Sequence, residues 1–137
     1  MSLVFFDTNI LVYTEDSSFP EKQRVASSLL DTHLTADTAV LSLQVLQEYF
    51  ATVTRKLRVP AERAQRRVEI FACAKVIRFE IADLIAAMEF HRLTQISFWD
   101  AMIVHAARTG GASILYSEDL QHGTFIGGVR VLNPFRT

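Results

Sequence analysis

Three aspartates stand beside apolar segments of this chain: Asp7 directly follows Leu3–Phe6, Asp119 follows Ser113–Tyr116, and Asp100 lies inside the segment 98–109. Carboxylates gathered at one place serve hard-cation chemistry, because Mg²⁺ and Mn²⁺ take oxygen ligands and keep positions open for water and phosphate. Without an ion the group is unstable: two like charges about 4 Å apart repel by roughly 4 kcal/mol at an effective dielectric near 20. With two ions, one activates an attacking water and the other steadies the leaving oxygen of a phosphodiester.

Each acid also has a simpler account. Asp7 could begin a turn or cap the next helix together with Asn9, and Asp119 could belong to a loop turn with Gly123. Asp100 shares a helical face with Ile96, Ile103, Val104 and Ala107, where a lone carboxylate is costly. The competing account there is a capping box from Ser97 to Asp100. Glu48 gives the weakest signal. The apolar stripe Leu43, Leu46, Phe50, Val53, Leu57 leaves it opposite, with Gln44, Ala51 and Arg55, so periodicity reads it as a solvated surface residue.

The elements that must position these acids follow from the apolar pattern. Leu3–Phe6 and Ser113–Tyr116 are short apolar runs suited to strands covered on both faces, as in a parallel sheet. Shorter strands are expected at 39–41, 75–79 and 129–132. Helices are expected over 21–34, 42–57, 60–73, 81–93 and 98–109, with Pro60 at the first helical position, Gly110-Gly111 as a stop and Gly127-Gly128 before the last strand. Strands alternating with helices argue an α/β sandwich. In such sheets ligands bind beyond the carboxyl ends of the strands, where Asp7 and Asp119 fall.

With 137 residues, half of them hydrophobic, the chain can bury a core and is read as one domain over 1–137. Lys plus Arg number 14 against 15 Asp plus Glu, a net charge of −1, so no global basic field marks a nonspecific nucleic-acid binder. Contact with nucleic acid must come from a local patch. Arg55, Lys56, Arg58, Arg63, Arg66 and Arg67 form such an excess, opposed only by Glu62, and could track an RNA backbone or simply face solvent. Cys73 is the only cysteine and is read as an inert core residue, which excludes an intrachain disulfide and a thiolate metal site. The apolar start lacks a basic leader and is broken by Asp7 and Asn9, so the expected location is cytoplasmic. The four histidines show no metal-ligand spacing; only His122, beside Asp119, invites attention. Trp99 could stack on a base, but packing beside Asp100 is the favoured expectation.

Four ordered motifs then converge. D-T-N-I-L-V-Y from Asp7, Glu48 in the helix after the second strand, F-W-D-A from Phe98 and S-E-D-L from Ser117 resemble the motifs of PIN domains, most closely those of VapC-like toxins. The resemblance runs from about Leu3 to Leu132. It implies a three-layer α/β/α sandwich around a parallel five-stranded sheet. It also implies an acidic metal-binding quartet of Asp7, Glu48, Asp100 and Asp119, with Thr8, Asn9 and Ser117 supporting it. Glu118 could share the metal site or simply be exposed. The implied activity is endonucleolytic cleavage of structured RNA, tRNA or rRNA, with Mg²⁺ or Mn²⁺ as cofactor, and Arg55, Lys56 and Arg58 are the RNA-contact candidates. The implied partners are a short VapB-like antitoxin and a second copy of the chain. The alternatives are a PIN-like binding or regulatory module without catalysis, and a phosphatase with Asp7 as nucleophile. An intact quartet argues against the first, and Asn9 in place of the second acid of a D-x-D motif argues against the other.

Overall fold

A computed structural model describes residues 2–136. The chain opens with strand β1 (Leu3–Phe6), and a short helix, α1 (Thr8–Tyr13), follows at once. Next come α2 (Pro20–Thr35), β2 (Ala39–Ser42), α3 (Leu43–Arg55), α4 (Ala61–Phe71), β3 (Lys75–Ile77), α5 (Ile81–Thr94), α6 (Phe98–Thr109) and β4 (Ala112–Tyr116). A hairpin of β5 (Phe125–Ile126) and β6 (Val129–Leu132) completes the sheet.

The strand order is β3-β2-β1-β4-β6-β5. The five strands expected from the sequence are all present and pair in parallel. The expected count of five is corrected to six, because β5 pairs antiparallel with β6 at the edge. Two residues carry no readable alternation. The device that forms this strand is the turn, with Gly127 and Gly128 at φ +58° and +84°, the double left-handed geometry that suits a two-residue hairpin. A side chain at Gly127 would also meet Arg108 Cδ at 2.7 Å.

Phe5, Phe6, Val40, Leu41 and Leu115 are fully buried, as strands covered on both faces require. Each such burial is worth roughly 1.5–3 kcal/mol. Helix α6 crosses β2, β4 and β6 and supports α5, while α2 and α3 pack on β2, with α1 and α4 against α3. Helices thus flank the sheet, as in an α/β/α sandwich. Among the described residues no helix is long and apolar enough to cross a membrane.

Helix α3 sits rotated from the expected stripe. Its buried residues are Val45, Leu46, Tyr49 and Val53, whereas Leu43 is 43% and Phe50 38% exposed. Tyr49 takes the inner position that Phe50 was expected to hold. Its ring meets Phe71 edge-on at 5.2 Å, and its hydroxyl donates to Glu15 at 3.3 Å. Cys73, expected in the core, is exposed. Helix α4 ends at Phe71, which fills the buried position, and Cys73 falls in the turn that follows.

The chain passes from β1 to β2 and β3 on one side, then returns to place β4 on the other side of β1. Strand order therefore reverses between β1 and β4, and the carboxyl ends of these strands open the crevice where such sheets bind ligands.

Candidate active site

Asp7 leaves the end of β1 and serves as N-cap of α1, its carboxylate accepting the Thr8 N–H at 2.7 Å. Its other oxygen accepts the Ser117 hydroxyl at 2.8 Å. Ser117 is fully buried at the end of β4, and its Oγ also accepts the Asp119 and Leu120 N–H groups at 3.2 and 3.4 Å. One hydroxyl thereby ties the β1 aspartate to the loop carrying Asp119. Asp7 is thus a cap that also lines the crevice.

Asp7, Glu48, Asp100 and Asp119 line one cleft of about 500 Å³, together with Thr8, Asn9 and Arg55. Rotation of α3 turns Glu48 into this cleft instead of solvent. The Thr8 hydroxyl donates to its Oε1 at 2.6 Å and the Gln44 amide to its Oε2 at 3.3 Å. Gln44 is a holding group that the sequence reading placed only on the outer face; its i−4 spacing from Glu48 is the available signal. Asp100 sits in the first turn of α6, half-buried, with its N–H donated to Ser97 Oγ at 3.0 Å. The cap and the cleft position therefore coexist.

The acids act on one another. Asp7, 6% exposed, has its pKa pushed up to about 6, chiefly by burial, which the Ser117 and Thr8 hydrogen bonds oppose and the charges of Asp119 and Asp100 reinforce. Asp100 is also shifted upward, first by burial and then by Asp119 and Glu48, against a lowering contribution from Ser97. Both shifts include repulsion from the neighbouring acids.

The donor set fits a hard cation: carboxylates, hydroxyls and an amide, with no soft ligand in the cleft. Asn9 adds an independent sign. Its side-chain Nδ2 and Oδ1 are both buried in this wall without a hydrogen-bond partner, and each such atom costs about 1–3 kcal/mol unless something satisfies it. Among the described residues no three acidic, imidazole or thiol groups are already drawn tightly around one point. The cleft is open, with its acids spread along the walls.

Glu118 does not line this cleft. It accepts the Tyr13 hydroxyl at 2.6 Å and pairs with Lys22, whose ammonium lies over the rings of Tyr13, Phe19 and Phe135. Neither of the roles expected for Glu118 applies; it anchors the Asp119 loop to α1 and α2. No local pattern announces a pairing across 96 positions. His122 accepts the Asn133 N–H at 2.9 Å and holds the tail. Of the basic segment, Arg63 and Arg67 approach Glu15 at 3.2 Å each. Lys56, Arg58 and Arg66 are exposed, and Arg55 alone of the six reaches the cleft. Trp99, expected to pack beside Asp100, is 60% exposed.

The sequence profile describing the PIN domain matches residues 4–123, which spans all four acids. The chain belongs to the PIN domain family. No curated protein sequence is significantly similar to it. Solved structures share the fold of this PIN domain. One is a toxin–antitoxin complex from Klebsiella pneumoniae, with 18% identity, TM-score 0.69, and 98% of this chain and 99% of that one covered. A DNA-bound VapBC from Salmonella typhimurium gives 19%, 0.68, 96% and 97%. A VapC toxin from Mycobacterium tuberculosis, described as cleaving the sarcin–ricin loop, gives 20%, 0.63, 85% and 89%. At such identities the likeness is one of fold.

Proposed function

We propose that this PIN domain is a Mg²⁺- or Mn²⁺-dependent endoribonuclease and the toxin of a toxin–antitoxin pair. The observation that carries the reading is the convergence of four acids, from β1, α3, α6 and the loop after β4, on one cleft at the point where strand order reverses. Asp7, Glu48, Asp100 and Asp119 would hold the ion, which when bound supplies Lewis acidity at a phosphodiester oxygen and the charge that relieves the acids. Asp7 is fixed by Ser117 and Thr8, and Glu48 by Thr8 and Gln44, so the ligands are oriented before an ion arrives. Asn9 offers its unpaired amide to water or phosphate oxygen in the cleft. Arg55 sets a positive charge at the cleft wall, and Lys56 and Arg58 continue it toward an RNA backbone.

Structural neighbours described as toxin–antitoxin assemblies support a short antitoxin as partner. The chain has exposed apolar surface of the kind such partners cover: Ile85 and Met88 lie one turn apart on α5. Expression of the chain alone should arrest growth and fragment RNA, and co-expression of the product of the adjacent gene should suppress both. Growth arrest unrelieved by that product would contradict the antitoxin assignment. Absence of RNA fragments would favour a binding module.

The support of Glu48 gives a finer expectation. Thr8→Val preserves shape and removes the donor, so cleavage should fall by roughly 10–100-fold, as loss of an outer-shell partner does, and half-saturation by Mn²⁺ should rise. Thr8→Ser, which keeps the donor, should retain most of the activity. Metal titration of the cleavage rate checks this; equal activity for Thr8→Val and the native chain would mean that Glu48 needs no such support.

A further inference from the structure

Beside the acidic cleft lies a larger hollow, about 590 Å³, with Leu43, Phe79, Ile81 and Trp99 among its walls and Gln47 beside them. Gln44 and Trp99 line both hollows, so the two form one continuous surface. Trp99 is 60% exposed, and the Phe98 ring braces it at 5.2 Å and 65°. Held by that contact at the junction of the two hollows, the indole presents an open aromatic face to whatever enters them. Its chain neighbour is Asp100, and Gln44 lies one helical turn before Glu48 and hydrogen-bonds to it. Anything held at the acids by a phosphate therefore has its attached nucleoside within reach of this wall.

We propose that the hollow is a nucleobase subsite, in which Trp99 stacks on an unpaired base flanking the scissile phosphate and Gln47 meets that base's edge. The assignment rests on the endoribonuclease reading above and adds to it a contact for the base beside the cut, which must be unpaired to stack, since a base inside a helix has no free face. Apolar walls with few polar groups suit a planar heterocycle. A stacked base binds alike in ground and transition states, so the subsite acts on substrate affinity and on which sequence is cut.

Trp99 is the only tryptophan of the chain, which allows direct observation. Its fluorescence should be quenched by a short single-stranded oligoribonucleotide and much less by the same strand made abasic at the stacked position, measured on Asp7→Asn so that turnover does not interfere. In kinetics, Trp99→Ala should raise KM about tenfold, the loss expected for one base–aromatic stack, with kcat nearly unchanged, while Trp99→Phe should recover most of the affinity. Making the substrate abasic should weaken the native chain and add nothing to Trp99→Ala, as two changes in one contact do. Gln47→Ala should alter base preference beside the cut. Quenching that ignores the base, or a KM unmoved by Trp99→Ala, overturns the subsite while leaving the nuclease intact. The same unmoved KM with weakened association to the antitoxin or a second copy would give the hollow to that protein instead. If the native chain cleaves no RNA at all, the nuclease reading fails, and the fluorescence comparison still decides the subsite.

Discussion

Asp7→Asn should abolish RNA cleavage and yet make the metal-free protein more stable at neutral pH. The folded pKa of Asp7, about 6, lies above its ordinary value of 3.8, so the folded state holds this proton more tightly than the unfolded one. Stability from that proton is complete below about pH 4, declines between 4 and 6, and is gone above 6. At 1.36 kcal/mol per pH unit the deficit of the charged form is roughly 3 kcal/mol. Asn keeps the oxygen that caps Thr8 and removes the charge. It cannot accept the Ser117 hydroxyl with its amide nitrogen, so part of the gain is lost. A melting temperature higher by about 5 °C at pH 7.5 in chelator, shrinking toward zero at pH 4, is the expected result. Scanning calorimetry across that range checks it. A mutant destabilised at pH 7.5 in chelator would show that the Asp7 charge is already compensated within the fold.

The second large effect concerns Asp100, for which a cap and a ligand predict different responses to metal. Ser97, not the Asp100 carboxylate, supplies the oxygen that caps α6. Asp100→Asn should therefore leave the metal-free protein as stable as the native chain or more so, since burial and the charges of Asp119 and Glu48 all disfavour its ionised form. Cleavage should drop by more than about a hundredfold, beyond the usual cost of an outer-shell change. Mn²⁺ at a hundred times its Kd should stabilise the native protein by roughly 2.7 kcal/mol and the mutant by much less. Thermal unfolding with chelator and with Mn²⁺ gives both readings. Loss of stability in chelator together with a native response to Mn²⁺ would make Asp100 structural only.

The parts of the fold legible in the sequence were those where one physical demand acts alone. Leu3–Phe6 is a strand because a chain covered on both faces tolerates only apolar residues, and α6 begins at Phe98 because Ser97 caps it. Elements built from competing demands were hidden. Helix α1 was not among the expected helices, because six residues show too little periodicity; its cap, Asp7, was the one legible sign of it. The face of α3 was misread because Tyr49 can be buried when Glu15 receives its hydroxyl, a partner 34 positions away. That rotation determines the place of Glu48, so the acid with the weakest periodic signal depended on a tertiary contact and on the family resemblance. Trp99 was misjudged by the converse error. Apolar size argues for burial in general, but not for a residue placed at the rim of an open cleft.

The most direct test of the metal-dependent nuclease is an endpoint-mapped RNA cleavage assay on the purified chain, run in excess chelator and again after Mg²⁺ or Mn²⁺ is restored. The proposed function requires no cleavage in chelator, recovery with metal, and none with Asp7→Asn under either condition. Cleavage at full rate in chelator, or by Asp7→Asn, would contradict it.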